Sequence, residues 1–576
     1  MAYFAKFSKK NNSTIMDNFL SGLIVVSVLI FIVWGLWAVS SPLNDLQIKP
    51  IGLEYSNLVA YSFRTLFRMM VAMVFSLIFT FIYAPIAASN KKCEQILIPL
   101  LDILQSLPIL GYISFTVTAF LALFPSSIMG AECAAIFAIF TSQVWNMTFS
   151  FYSSLKNIPQ DLNDAAYIFK ISKWRRFWQV IVPYAIPGLV WNMVISISSG
   201  WFFVVASEVI IVGTTSITLP GIGSYISLAI QAKNFCAIGC AILSMSLIII
   251  LYDQLLLRPL VIWSNKFCYE MNSGNNKGGN SWVLTLLNRS WIIKKLFAPI
   301  TCAIRFLLYS PILNNNIAVD TLNYSNNDNK SRLDYLWSLL LCVVAFCSLY
   351  YVYKFLHYEI GYHEVLKVIT LGSITLLRVV VLIIIASLIW VPIGIYIGLN
   401  PKLAAIIQPI AQFLAAFPIN LLFPIVFIII THYDLSYNIW LSPLMIMGTQ
   451  WYILFNVIAG AASISNDLRD ATKILKIRGW RWWYKIMLPG ITPNFIVGAI
   501  AASGGAWNAS IVAEVINFGD KTIMANGIGS YIASMTVKAD FNKIILGMGV
   551  MATFVVLLNR LFWRPLNEYV TKKFQI

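Results

Sequence analysis

Charge is what this sequence has least of. Only 11% of its 576 residues are Asp, Glu, Lys or Arg, where soluble domains carry about 25%. Such a chain could not solvate its own surface, which excludes a soluble globular fold. Histidine is scarcer still: His357, His363 and His432 are the only three. No His/Asp/Glu or Cys/His grouping recurs, so an enzyme would lack its catalytic cluster. The eight cysteines (93, 133, 236, 240, 268, 302, 342 and 347) contain no C-x-x-C pair and mostly lie in apolar stretches. They read as small core residues, not as metal ligands or disulfides. Nor is there a G-x-x-x-x-G-K-[ST] loop, so ATP hydrolysis by that route is excluded.

What the chain has instead is hydrocarbon. Its hydrophobic residues make up 59% of the total, with a mean hydropathy of +0.77. Phe19–Ser40, Met69–Ser89, Phe235–Leu257, Leu336–Tyr353 and Arg378–Leu399 each approach or exceed the roughly 20 residues that a spanning helix needs. The net charge of +17 fits topology better than nucleic acid, because Lys and Arg collect on the cytoplasmic side of membrane proteins. Lys6, Lys9 and Lys10 precede the first apolar segment. That segment is too long for a signal peptide core and no convincing cleavage site follows, so a retained helix is expected.

The sequence also repeats itself. Shifted by 306 residues, Asp161–Leu260 lies on Asp467–Leu566 without a gap, and about 31 of the 100 positions are identical. Trp174-Arg175 falls on Trp480-Arg481, Pro183 and Pro187 on Pro489 and Pro493, Trp201 on Trp507, and Glu208 on Glu514. The six residues from Gly221 to Ile226, GIGSYI, recur letter for letter from Gly527 to Ile532. Upstream the shift is 310, pairing Thr65-Leu66 and Arg68 with Thr375-Leu376 and Arg378, and Pro99 and Pro108 with Pro409 and Pro418. The chain is a duplication.

Each copy reads as six spans. They are expected near 19–40, 64–89, 96–124, 130–153, 185–212 and 235–258, and near 335–356, 374–399, 404–431, 437–461, 491–516 and 541–563. The loops after the fourth spans are the basic ones, with Lys156, Lys170, Lys173, Arg175 and Arg176 in one and Arg469, Lys473, Lys476, Arg478, Arg481 and Lys485 in the other. The positive-inside rule puts both loops, and both termini, in the cytoplasm. Units of 1–263 and 333–576 are then joined by a linker, 264–332. Its ends, Asn272–Asn280 and Asn314–Asn329, read as loosely ordered. Trp282–Ile312 between them is apolar but interrupted by charges and a proline. A further span there would invert the second copy against its own charge, so an interfacial amphipathic segment is expected.

The basic loops carry the most specific signal. Asp164-Ala165-Ala166 is followed after sixteen residues by Pro183, and Asp470-Ala471-Thr472 at the same spacing by Pro489, which Ile486-Met487-Leu488 precedes. This resembles the EAA loop of binding-protein-dependent ABC importer permeases: Glu-Ala-Ala, three residues, Gly, nine residues, Ile-x-Leu-Pro. The resemblance implies an all-α polytopic fold of about twelve transmembrane helices in two six-helix type I units. It implies that each loop is a short helix seated in a cleft of an ATPase subunit. ATP would then bind to two partner ATPases and not to this chain, and their closure would rock the halves between inward- and outward-open. Asp replaces Glu in both copies, Thr472 replaces the second Ala, and Lys170 and Lys476 stand where the family has Gly.

Trp201–Ile210 and Trp507–Ile516, each followed by GIGSYI, are similar to the nitrate, sulfonate and taurine branch and to its fused, duplicated permeases. That implies a small anion as cargo, an extracytoplasmic binding protein, and one chain per complex in the plasma membrane. Glu208 and Glu514 are acids inside predicted spans, as is Glu132 at the edge of the fourth, and intramembrane acids are costly. Trp201 and Glu208, like Trp507 and Glu514, are seven residues apart and share a helix face. Both pairs are expected to point inward, toward the seam between copies, and to fix an outer gate through buried hydrogen bonds. Arg68 and Arg378, at the starts of the second spans, are expected to snorkel or to face an anion. The alternatives are a twelve-helix secondary transporter, which needs no such paired loops, and the iron or thiamine permeases, whose features after the fifth span are missing here. No catalytic or metal site is expected.

Overall fold

A computed structural model describes residues 15–39, 51–106, 109–124, 127–212, 215–267, 281–291, 346–464, 466–518 and 521–574, with a few isolated positions between 295 and 343. The fold is all-α and polytopic. Among the described residues, seven helices are long and apolar enough to cross a membrane, or nine if each of two bent helix pairs is one span. The seven are Tyr55–Ser89, Ile128–Lys156, Lys173–Ser207, Phe235–Phe267, Tyr362–Gly398, Trp480–Ala513 and Phe541–Val570. An apolar helix, Ile15–Val39, precedes them.

The third spans are not single helices. In copy one the expected span 96–124 is divided between Lys91–Ser106 and Ile109–Leu123. In copy two Pro401–Ala416 and Ile419–His432 meet at a bend of 75°. The break falls at Pro418, which cannot donate to a helix ladder and disfavours helical geometry in the residue before it. Its counterpart Pro108 lies outside the described residues. The fourth span of copy two bends by 43° between Tyr437–Met447 and Gln450–Ser463.

The fifth spans end sooner than the hydropathy suggests. Their helices stop at Ser207 and Ala513, and Val209–Val212 pairs antiparallel with Thr215–Thr218, as Val515–Phe518 does with Lys521–Met524. Val209–Val212 is β-branched throughout, and Val515, Ile516 and aromatic Phe518 make up most of the other first strand, which suits a pleated ribbon better than a helix. The GIGSYI segments follow the hairpins. They open ten-residue helices, Ile222–Gln231 and Ile528–Val537, with Gly221 and Gly527 as N-caps in extended conformation.

Pro183 and Pro489 do not start the fifth spans either. Each lies inside one continuous helix, two residues past a π turn at Phe177–Ile181 or Trp483–Met487. Further π turns at Asp253–Leu257 and Asn559–Trp563 precede Pro259 and Pro565 by the same spacing. A proline ring clashes with the carbonyl four residues back. That residue lies in the π turn every time, and the wider turn makes room for the ring.

Contacts divide the chain into two compact units that cut across the copies. One holds 1–30, 149–191 and 254–367; the other holds 31–148, 192–253 and 368–576. In the first unit, linker helix Trp282–Arg289 is capped by Ser281 and packs on Arg258–Ser264, burying Val283 and Leu286 while Trp282 stays exposed. The Asn-rich ends of the linker lie outside the described residues. The second unit contains most of the spanning helices of both copies, and there they touch directly: the Ile109 N–H donates to Asn508 Oδ1 at 2.9 Å, and Gln412 Nε2 to Asp253 Oδ1 at 3.1 Å. Of the cysteines, Cys93, Cys133 and Cys240 are half-buried, but Cys236, Cys302 and Cys347 are exposed and not packed in the core.

Candidate functional site: paired arginine–glutamate knots

The apolar helix Lys173–Ser207 delivers Glu208 to its C-terminal end, fully buried. A carboxylate there must be paired and hydrogen-bonded to be tolerated. Three partners converge on it: Arg68 Nη1 donates to Oε1 at 2.7 Å, Thr65 Oγ1 to Oε1 at 2.6 Å, and the Gly223 N–H to Oε2 at 2.5 Å. Thr65 in turn accepts the Ile222 N–H at 3.1 Å. Arg68 is 1% exposed. It grips Glu132 with two further bonds, Nε to Oε2 at 2.5 Å and Nη2 to Oε1 at 2.7 Å, and Nη2 also donates to Pro220 O at 2.9 Å. Such a forked arginine–carboxylate contact is strong and directional.

Copy two rebuilds the knot from equivalent side chains, with a backbone donor one residue past the counterpart of Gly223. Glu514 accepts from Thr375 Oγ1 at 2.9 Å, Arg378 Nη1 at 3.1 Å and the Ser530 N–H at 3.0 Å, and Thr375 accepts the Ile528 N–H at 3.0 Å. The 306-residue shift puts Asn438 where copy one has Glu132. Asn438 Oδ1 takes Arg378 Nη2 at 3.3 Å and the Asn526 N–H at 2.7 Å. One arginine therefore faces two carboxylates in copy one, but a carboxylate and an amide in copy two. Arg378 is also more open, at 11% side-chain exposure.

Glycine is required where each knot meets the GIGSYI helix. A Cβ on Gly221 would overlap the Glu208 carboxylate, and one on Gly527 the Glu514 carboxylate. The demand is for close approach, not for an unusual backbone angle.

The residues expected to share a helix face are buried, with Trp201 and Trp507 at 1% exposure. Trp201 meets Tyr252 edge-on and Trp507 stacks on Phe554. The carboxylates, however, pair within their own copies and not across the seam. Arg68 does not snorkel, since its charge is fully matched where it lies. Thr65, Thr375, Glu132 and Asn438 were not singled out as site residues. The repeat had flagged the threonines, and Glu132 was visible as an acid at a span edge.

The duplicated basic loops fold alike. Gln160–Ile168 and Asn466–Ile474 are short helices. Lys170 and Lys476, standing where glycine was expected, adopt the left-handed backbone at φ 48° and 49°. The Lys170 N–H donates to Tyr167 O at 2.9 Å, the Ile171 N–H to Ala166 O and the Ile477 N–H to Thr472 O, each at 3.0 Å. This bonding closes a glycine-type helix terminus without the glycine, at a strain cost of about 1–2 kcal/mol per residue. Ala166 and Thr472 are buried, Ala165 is half-buried, and Ala471, Asp164 and Asp470 are exposed. Ile168, Phe169, Ile474 and Leu475, at matching positions, are all exposed.

The two knots should respond differently to loss of one charge. In Glu208→Gln, Arg68 keeps Glu132; in Glu514→Gln, Arg378 keeps only an amide. Breaking a buried pair costs about 3–5 kcal/mol, so thermal unfolding in detergent should rank wild type above Glu208→Gln and that above Glu514→Gln. Glu→Ala should be worse than Glu→Gln at each site, and equal melting of the two glutamines would contradict the account. Gly221→Ala should cut folded protein in membranes more sharply than Ala at Gly239, where a Cβ meets nothing within 4 Å.

The family described as "Binding-protein-dependent transport system inner membrane component" matches residues 76–257 and again 390–575. Among curated relatives, the bicarbonate transport system permease protein CmpB of Synechococcus elongatus is 27% identical over 165 residues, 29% of this chain and 55% of its own length. The nitrate import permease protein NrtB of Leptolyngbya laminosa is 28% identical over 161 residues, 28% of this chain and 53% of its own. The taurine transport system permease protein TauC of Escherichia coli is 25% identical over 185 residues, 32% and 63% of the two chains. The matches thus span a little over half the length of these relatives. Two matches to one family cover well over half of this chain, each running from the second span through the basic loop to the end of its copy: the chain belongs to the binding-protein-dependent inner-membrane transport components and carries their unit twice.

Proposed function

We propose that this chain is the transmembrane channel subunit of an ATP-driven importer for a small anion. Two separate ATPase subunits would bind the ATP and drive alternating access, and an extracytoplasmic binding protein would deliver the cargo. The relatives named for bicarbonate, nitrate and taurine support the anion. On this reading, residues 1–263 and 333–576 are the two permease units, 264–332 is a cytoplasmic linker, and both termini are cytoplasmic. Trp201, Glu208, Trp507 and Glu514 hold the outer ends of the fifth spans in place.

The observation that carries the reading is the paired loop. A segment that merely set topology by its charge would have no reason to expose the same apolar pair twice. Ile168-Phe169 and Ile474-Leu475 follow Ala165 and Ala471 and precede left-handed lysines in both copies. Exposed apolar residues beside small ones suit a helix that enters a partner's cleft. Asp161 lies in the first turn of its helix, where an acid complements the helix dipole, and Asp164 and Asp470 follow in the second turn. Pro183 and Pro489 lie beyond the π turns, in the helices that lead from each loop into a fifth span.

Ala471→Arg places a long charged side chain on an exposed position, so the chain itself should fold normally. Uptake of labelled nitrate or bicarbonate should fall to background while membrane abundance holds; Ala165→Arg should behave alike. Unimpaired uptake by both variants would sink the coupling role. Because one chain already supplies two loops, native mass spectrometry of the purified complex should find one permease chain with two ATPases. Two permease chains would count against it.

A further inference from the structure

The fifth-span helices bring Ser199 and Gly505, equivalent under the repeat, to two neighbouring cavities in the unit that holds the spans of both copies. The larger, about 90 Å³, is lined by Gln105, Ser142, Trp145 and Asn146 of copy one and Asn508 of copy two. The smaller, about 50 Å³, is lined by Ala415, Gly448 and Tyr452 of copy two and Phe202 of copy one. The repeat pairs Gln105 with Ala415, Ser142 with Gly448, Asn146 with Tyr452 and Asn508 with Phe202. The cavities are thus images of each other under the duplication. At these four positions one has amides and a hydroxyl where the other has alanine, glycine, tyrosine and phenylalanine, while Ser199 and Tyr452 line both.

Polar side chains in a membrane-spanning body are costly and concentrate where they act. Bonds between helices and one bond within a helix account for part of this set. Gln105 Nε2 donates to Asn146 Oδ1 at 3.3 Å, the Ile109 N–H to Asn508 Oδ1 at 2.9 Å, and Asn508 Nδ2 to Gly504 O at 3.1 Å. Those bonds occupy both asparagine oxygens. Each amide nitrogen carries two hydrogens, and an indole N–H only donates. Trp145 Nε1 is buried without a hydrogen-bond partner among the described residues. The balance left over is donor-rich, and none of the described lining residues is charged.

We propose that the larger cavity is a binding site for a small oxyanion, held by the uncharged N–H donors of Gln105, Asn146, Asn508 and Trp145, and that its apolar twin is not. The proposal rests on the anion-import reading above and locates a cargo site within it. A cavity of about 90 Å³ exceeds the roughly 10–15 Å³ that one water needs, leaving room for an ion of a few heavy atoms. Neutral donors hold an anion less tightly than Lys or Arg would, as a pathway requires if its ion is to leave again.

The test uses the complex in proteoliposomes, with nitrate and bicarbonate as probes for uptake and for equilibrium dialysis against the purified chain. Asn146→Asp keeps shape but turns a donor into a carboxylate. It should lower uptake and binding by about tenfold or more, with Asn146→Ser falling between. Gln105→Glu, at the exposed edge of the cavity, should do the same and decides the matter if Asn146→Asp is poorly inserted. Thr449→Val, which touches only the apolar twin, should stay within about twofold of wild type. Uptake by Asn146→Asp and Gln105→Glu within that range, or equal damage from Thr449→Val, overturns the site while leaving the importer intact. Oxyanion binding that is lost in Asn146→Asp, in a complex that transports no oxyanion, supports the site and overturns the functional reading. Neither binding nor uptake by wild type overturns both.

Discussion

A carboxylate buried at the end of a membrane-spanning helix is the constraint around which much of each copy is arranged. Desolvation makes an unpaired Glu208 or Glu514 intolerable, so the second span must present an arginine at its level, and Arg68 and Arg378 do so. One arginine cannot satisfy every lone pair. The GIGSYI helix therefore turns its first backbone N–H groups toward the acid, and the threonine three residues before each arginine ties that helix to the second span. Glycine follows because no Cβ fits against the carboxylate. The hairpin follows as well: Leu219 and Ala525 donate back to the carbonyls of the glutamates, which returns the chain to the knot. Helix end, hairpin, glycine motif and second span depend on one buried charge.

The gross architecture was legible because its causes are compositional. Hydropathy and a 306-residue self-match need no long-range contact to be read. The breaks were less legible. The kinks near Pro418 and the π turns before Pro183, Pro259, Pro489 and Pro565 follow from local sterics, yet hydropathy averaged over a window passes across them. The fifth-span ends were overrun for the same reason, since VIIV and VINF are as apolar in a strand as in a helix. The knots were half legible. An acid in an apolar run announces itself, but its partner lies about 140 residues upstream in Arg68 and Arg378, and sequence alone does not close that distance. The left-handed turns at Lys170 and Lys476 ran against expectation, because backbone bonds at the helix end outweighed the cost of a Cβ.

Fusion changes what evolution can do at the seam. In a symmetric pair of identical chains, every residue near the twofold axis appears twice, so a change that suits one side is imposed on the other. A duplicated chain is free of that requirement. Glu132 and Asn438 have parted while holding the same arginine positions, leaving copy one with a fully buried arginine between two acids and copy two with a neutral, more open pair. Asn146 and Tyr452 have parted on the seam itself.

The loops keep one conformation in both copies. Gly is lost at the same position in both copies, replaced by lysine in both, and the left-handed geometry survives in both. Two loops under separate pressures would have no reason to keep the same strained residue. A shared demand on both would explain it, and the proposed function supplies one: partners of one kind, meeting each loop through the same surface. On the proposed importer reading the seam residues would answer to no such symmetry, because a small-anion cargo would have no second copy to satisfy. On that reading the pattern of divergence would separate two kinds of contact, with symmetric positions facing repeated partners and asymmetric positions facing what passes between them.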